Sequence, residues 1–208
     1  DRDHIHILID NYPQIPDRTK AILAGSDEPV SYICASAKKL IAMGAELLLL
    51  PCNTSHFFFH EIQKNISVPL VNMVEETADC CRQAGYQKVA VLATAGTCQT
   101  DLYKKALAAR GIDTIYPTPA GQEEVTRVIY DQVKAGQPID TTALKKHLDQ
   151  MRTEGAEAFV LGCTELPIAL RAHSYGYPYV DALDVLARSA IRYAGYQVRA
   201  DASCALLR

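Results

Sequence analysis

One pattern occurs twice in this chain, and it limits what the chain can fold into. "GAELLLLPCNT" spans 44–54 and "GAEAFVLGCTE" spans 155–165. In each copy Gly-Ala-Glu leads into four apolar residues, then one small or rigid residue, then a cysteine. Gly44 and Gly155 are 111 positions apart (155 − 44), and so are Cys52 and Cys163 (163 − 52). The match continues downstream, where Pro69-Leu-Val-Asn72 follows the first cysteine and Pro178-Tyr-Val-Asp181 the second. A short apolar run bounded by glycine and proline reads as a strand covered on both faces, the kind found in parallel sheets. A long-period repeat implies two related structural units. Open α/β sheets bind ligands beyond the carboxyl ends of their strands. The expected fold is therefore α/β, with two pseudo-symmetric lobes, each a short parallel sheet flanked by helices. The expected site is the cleft between them, with one cysteine on each wall.

The rest of the chain alternates strand-like and helix-like segments, as α/β architecture requires. Strands are expected at 4–10 ("HIHILID"), 46–51, 69–72, 88–93 ("KVAVLA"), 113–117, 158–161 ("AFVL") and 177–180. Helices are expected at 30–43, 74–84, 100–109, 121–135 and 141–154, with a last one carrying Leu183, Leu186, Ala187, Ala190 and Ile191 on one stripe. The first lobe is placed at 1–86 and the second at 87–208, the C-terminal helix being free to pack back on the first. The repeat also predicts a deficit. The second lobe has a strand and a helix before its "DTIYP" strand, whereas the first opens directly on "HIHILID". One βα unit is expected to be missing from the N-terminal side, in a chain that begins at Asp1 and not at Met.

A formal net charge of −3, with no cluster of lysine or arginine, argues against nucleic acid or an anionic membrane surface as the main partner. No apolar stretch approaches the roughly 20 residues that span a bilayer. The seven cysteines (Cys34, Cys52, Cys80, Cys81, Cys98, Cys163 and Cys204) are odd in number and irregular in spacing. That does not read as a secreted disulfide framework, and cytoplasmic thiols are expected. Cys34, Cys80, Cys81, Cys98 and Cys204 are read as small buried hydrophobes. Cys52 and His56, four apart, could share a helix face, but two ligands do not make a metal site, and no metal is expected.

Cys52 and Cys163 differ from the other five because polar residues surround them at matching strand ends. A thiol titrates near neutrality, at about 8.5. Two of them across a cleft can act as general base and general acid on opposite faces of one carbon. Such a pair inverts a stereocentre without a cofactor. Cys52 is followed by Asn53 and Thr54, and Cys163 by Thr164 and Glu165, at expected helix N-termini, which favour thiolates and bind carboxylates.

"PCNTSH", "GCTELP" and the upstream "NYPQIPDRT" together resemble the aspartate/glutamate racemase family, aspartate racemases most of all, over essentially the whole chain. The resemblance implies a cofactor-independent racemase of an acidic amino acid, needing neither PLP nor metal, with Cys52 and Cys163 catalytic. It implies carboxylate binding by Arg18 of "IPDRT" and Lys134 of "VKAG", and substrate contacts from Asn53 and Thr54. Glutamate racemases usually carry His at the position of Glu165, so "CTE" points to the aspartate branch. The family's opening glycine-rich loop has no counterpart, in agreement with the deficit. Family members are often homodimers.

Arg18 is read as a loop residue suited to bidentate carboxylate recognition. Lys134 reads equally as a helix-end lysine. Thr94, Gly96 and Thr97 of "LATAGT" can hydrogen-bond a carboxylate or simply build a turn. His56 could polarise Cys52 or be a helix-face histidine. Glu165 is placed to orient Cys163 or to cap its helix. Asp10, Asp181 and Asp184 are assigned to strand ends and a helix N-terminus. Three readings stay open. The chain racemises aspartate; it acts on a related acid such as glutamate or a hydantoin, or uses one cysteine as a nucleophile; or it is a non-catalytic bilobed binder of dicarboxylates.

Overall fold

The computed structural model describes residues 3–171, 175–199 and 206–207. In chain order come α1 (Arg18–Leu23), α2 (Glu28–Ala42), a 3-10 turn (Thr54–Phe58), α3 (Phe59–Lys64) and α4 (Met73–Gln83). β1 (Lys88–Ala93), α5 (Ala95–Gln99), α6 (Leu102–Ala108) and β2 (Asp113–Ile115) follow. Next are α7 (Pro119–Arg127), a π-helical continuation (Val128–Lys134) and α8 (Thr142–Thr153). β3 (Ala158–Gly162), α9 (Leu166–Arg171), β4 (Tyr179–Asp181), α10 (Ala182–Tyr193) and β5 (Leu206–Leu207) complete the chain.

The main sheet has the order β2-β1-β3-β4-β5. β1, β2, β3 and β4 pair in parallel, and β5 lies antiparallel on β4. Apolar residues of the central strands serve two faces by simple alternation. Val89, Val91, Ala93, Ala158 and Val160 join a core with Ala78 and Cys81 of α4 and Tyr103 and Leu107 of α6. Ala90, Leu92, Phe159 and Leu161 join the opposite core, with Val125 of α7, Leu144 and Leu148 of α8 and Leu170 of α9. The sheet is thus covered on both sides, as its unbroken apolar strands require.

The first lobe has a core of its own, built from Ile33, Cys34, Ala37, Leu48, Phe58, Ile62 and Leu70. Its parallel pairing condenses to one bridge, Leu48 with Leu70. That bridge repeats the geometry of the second lobe. Leu48 N–H donates to Pro69 O at 2.9 Å, and Phe159 N–H donates to Pro178 O at 2.9 Å. Leu48 pairs with Leu70 as Phe159 pairs with Tyr179. The two Pro-x-Val-Asn/Asp segments then end alike. Asn72 accepts from the backbone N–H of Val74 and Glu75 and caps α4, while Asp181 accepts from Leu183 and Asp184 and caps α10. The 111-residue repeat is therefore a repeat of hydrogen bonds. The segments carrying the two caps adjoin: Val71, Met73, Ala182 and Leu186 pack together.

Three expectations need correction. "HIHILID" forms no strand; Ile7 and Ile9 are 70% and 84% exposed. Its alternation is strand-like, but a strand exists only as part of a ladder, and no described segment pairs with it. Asp10 instead anchors to α2, accepting from Ser36 Oγ at 2.6 Å. The helix expected at 100–109 is α6, which starts after its N-cap Asp101, a residue with a left-handed φ of 52°. Arg18 is not in a loop: Asp17 caps α1 by accepting from Lys20 N–H, and Arg18 is the helix's first residue. The helix at 121–135 changes from α to π at Val128. The short α3, α5 and α9 lay below the reach of hydrophobic periodicity, which needs about three turns to register. Cys34, Cys80 and Cys81 are buried, and Cys98 packs against the core. Cys204 lies outside the described residues.

Candidate active site

Strand order brings the polar residues together. From β1 the chain moves first to β2 on one side and later to β3 on the other, so the β1–β3 seam is the point where the order reverses. Ligands of open α/β sheets bind outside such seams. Ala93 and Gly162 are register partners there, and each strand continues at once into polar residues, Thr94 and Cys163. Gly162 permits the fit. A Cβ on it would stand 3.0 Å from Tyr103 Cε2, 3.1 Å from Ala93 Cβ and 3.2 Å from Leu92 O.

Opposite the seam, the first lobe presents Cys52 at the end of its Leu48 strand segment. Cys52 N–H donates to Leu50 O at 2.7 Å, and the 3-10 turn begins just beyond. His56 holds this turn from behind. Met73 N–H donates to His56 Nε2 at 3.1 Å, so Nε2 is the acceptor and the ring proton belongs on Nδ1, which donates to Cys52 O at 2.9 Å. Burial pushes the His56 pKa down and keeps the ring neutral. His56 therefore bonds the Cys52 backbone carbonyl.

Arg18, Cys52, Asn53, Thr54, Thr94, Lys134, Cys163, Thr164 and Glu165 line one cleft of about 520 Å³, open mouth included. Asp17, Thr19, Pro51, Tyr130 and Gly162 complete the lining and had not been singled out from the sequence. Thr97 stands one layer back. The hydroxyls of Thr54, Thr94 and Thr97 form a closed triangle with sides of 3.1, 2.9 and 3.2 Å, tying the first lobe to the loop after β1. Asn53 is 3% exposed. Tyr103, buried in the sheet's core, donates to Asn53 Oδ1 at 2.5 Å. This fixes the amide, and Asn53 Nδ2 has no hydrogen-bond partner among the described residues. A buried donor so held costs about 1–3 kcal/mol unless something meets it.

Two cations face the cleft. Arg18 Nη1 donates to the carbonyls of Ile15 and Pro16, which holds the guanidinium at the rim. Lys134 lies over the Tyr130 ring at 4.6 Å and 3.7 Å from Glu165 Oε1. The π-helix supplies both Tyr130 and Lys134, and such turns occur frequently at functional sites. The other oxygen of Glu165 accepts from Cys163 Sγ at 2.8 Å and from Thr164 Oγ1 at 3.2 Å. Burial, and after it the charge of Glu165, push the Cys163 thiol well above its ordinary range. Two thiols, a fixed amide, the hydroxyl residues Thr54, Thr94 and Thr164 and two cations thus share one small concave space. That space suits a small polar molecule bearing carboxylate.

Among the described residues no group of three or more His, Cys, Asp and Glu is placed to hold a metal ion. Among the described residues no helix is long and apolar enough to cross a membrane.

Comparison with known proteins bears on family and fold. The family model Asp/Glu/Hydantoin racemase matches residues 1–190. The broad specificity amino-acid racemase RacX of Bacillus subtilis (strain 168) is 30% identical over 198 residues, covering 95% of this chain and 86% of RacX. The Picrophilus torridus aspartate racemase superposes with a TM-score of 0.81 at 28% identity, over 97% of this chain and 84% of its own. An aspartate racemase homologue from Pyrococcus horikoshii OT3 follows, with a TM-score of 0.71, 27% identity, and coverage of 85% and 80%. Sequence, fold and the cleft at the β1–β3 seam lead to one conclusion: the chain belongs to the Asp/Glu/hydantoin racemase family.

Proposed function

We propose that this protein interconverts L- and D-aspartate without a cofactor, using Cys52 and Cys163 as the two acid–base groups. The observation that carries this reading is that both cysteines, at equivalent strand ends of two related lobes, line one cleft with Arg18 and Lys134. The dicarboxylate binds between the lobes, its two carboxylates meeting the two cations. One thiolate removes the α-proton from one face, and the opposite thiol delivers a proton to the other. The product is the opposite enantiomer, and the proton has passed from one cysteine to the other. Turnover in the reverse direction, or exchange with water, restores the starting state. Charge developing next to the α-carboxylate is met by a donor already in place and not otherwise engaged, Asn53 Nδ2. Fixed donors of this kind usually contribute the largest share of rate enhancement.

Proton NMR of L- and D-aspartate in D2O under reducing conditions, with chiral chromatography of the products, tests the reading. Loss of the α-proton signal from both enantiomers, with appearance of the opposite one, is expected. Binding without exchange would make the protein a dicarboxylate binder. Cys52→Ser and Cys163→Ser should each lose about 10²–10⁴-fold in racemisation, the usual worth of one general acid or base. Loss in only one of the two would indicate a single nucleophile instead. The broad specificity in the name of RacX favours one companion measurement, the same exchange assay with glutamate and with neutral and basic amino acids. Preference for a substrate with no side-chain carboxylate would overturn the roles of Arg18 and Lys134. The irregular cysteine set, with none of the six described cysteines in a disulfide, supports a reducing, cytoplasmic setting. A homodimer is the expected assembly, to be read by light scattering.

A further inference from the structure

We propose that Glu165 is a positioning residue that keeps the proton on Cys163, so that the free protein rests with Cys163 as thiol and leaves Cys52 to act as the base. This rests on the two-cysteine reading above, which does not say where the proton sits at rest.

The argument comes from a break in the pseudo-symmetry. Position 165 in the second motif corresponds to position 54 in the first, by the same 111-residue offset. The first lobe has Thr54 there, a neutral hydroxyl bonded to Thr94 and Thr97. The second has a carboxylate, and it is turned onto the neighbouring thiol. Cys163 Sγ donates to Glu165 Oε2 at 2.8 Å, and Thr164 Oγ1 donates to the same oxygen. An ionised carboxylate can only accept, so this contact requires the S–H form. Ionising Cys163, itself buried, would set two negative charges side by side, the arrangement that makes paired acids hold one proton between them.

The surroundings do not cancel this. Lys134, from the π-helix, is 3.7 Å from the far oxygen of Glu165 and offsets part of its charge. Tyr130 on the same helix lies under that ammonium. From the first lobe Asp17, Arg18 and Cys52 face the cleft. Asp17 is engaged in capping α1, and Arg18 is held by the carbonyls of Ile15 and Pro16. Behind Cys52 stands His56, whose ring is neutral and bonded to backbone. Cys163 thus has a carboxylate as its direct partner. The resting molecule is then loaded in one sense: its first turnover removes a proton on the Cys52 side and delivers one from the Cys163 side.

The test is the pH dependence of iodoacetamide alkylation at each thiol of the full chain, read by peptide mass spectrometry and needing no turnover. In the wild type the Cys163 midpoint is expected above the ordinary thiol value of about 8.5; a midpoint at or below it overturns the proposal. In Glu165→Gln, and in Glu165→Thr, which copies the first lobe, the Cys163 midpoint should fall by at least about one pH unit, as removal of a close like charge dictates. The Cys52 profile should stay in place. A folded variant whose Cys163 midpoint does not move, or whose two midpoints move together, overturns it. Lys134→Met keeps Glu165 and removes its counter-charge, and should shift the Cys163 midpoint upward; a downward shift overturns it. α-Proton exchange in D2O, run in parallel, separates the two claims. Exchange with an unmoved midpoint defeats the role of Glu165 alone. Shifted midpoints without exchange with any amino acid defeat the racemase reading alone.

Discussion

At the scale of single residues, His56 serves Cys52 without touching its thiol, and the consequence is a pH dependence of stability. The ring is buried, neutral in the fold, and bonded at both nitrogens to backbone. Its folded pKa lies below the ordinary 6.5. Between those values the unfolded chain binds a proton that the folded chain does not. Stability therefore rises with pH up to about 6.5 and is lost on acidification below it, by at most about 1.4 kcal/mol per pH unit. Urea midpoints at pH 7 and pH 5 should show this loss in the wild type and a smaller one in His56→Gln. Equal losses would mean that other groups set the slope. The same residue marks where sequence reading stopped. Cys52 and Cys163 were legible because the repeat put both motifs in register. That His56 bonds the Cys52 carbonyl was not, since Met73, which fixes its tautomer, is distant in sequence. Tyr103 and Asn53, fifty positions apart, meet only through the fold, and no local pattern announces such a contact. Tyr130 escaped for a different reason: an aromatic on an amphipathic helix reads as core, and only the π-turn aims it at the cleft.

At the scale of elements, the site depends on how closely β1, β3 and α6 approach at Gly162. Gly162→Ala forces a methyl against the Tyr103 ring, the Ala93 side chain and the Leu92 carbonyl, all within 3.0–3.2 Å. Overpacking of this sort costs about 1–3 kcal/mol. Because Tyr103 holds Asn53 and Gly162 immediately precedes Cys163, the variant should lose activity beyond its loss of stability. Thermal melts together with kcat, measured where the variant is fully folded, separate the two effects; full activity in that range would refute the coupling. Elements of this kind were the legible part of the fold. "KVAVLA" and "AFVL" are strands because each finds parallel neighbours on a covered sheet. "HIHILID" carries an equally good alternation and is not a strand, because pairing is a property of two segments and the sequence of one cannot supply it. Asp101, a residue type that tolerates left-handed backbone, separates α5 from α6, the helix expected over 100–109.

For the whole molecule, the question is whether the lobes are two halves of a binding device. α4, whose Ala78 and Cys81 lie in the core of the main sheet, meets α10 through the bonds from Ser189 and Tyr193 to Glu76. Near the cleft the lobes touch where the backbone of Thr19 comes so close to Gly96 that a Cβ there would stand 3.1 Å away. Arg18, next to Thr19, and Lys134 of the other lobe thus face one space from opposite sides. A ligand held by both must stabilise the folded chain as a unit, by RT ln(1 + [L]/Kd), or about 2.7 kcal/mol at a hundredfold excess over Kd. Aspartate should therefore raise the thermal midpoint well above the effect of equimolar alanine, which offers only one carboxylate. The double variant Cys52→Ser/Cys163→Ser should keep that shift while losing α-proton exchange, since the thiols move protons and the cations and amide hold the ligand. Loss of the shift together with exchange would instead make the thiols part of the binding surface. An equal shift with alanine would mean that the second cation does not read the side chain at all.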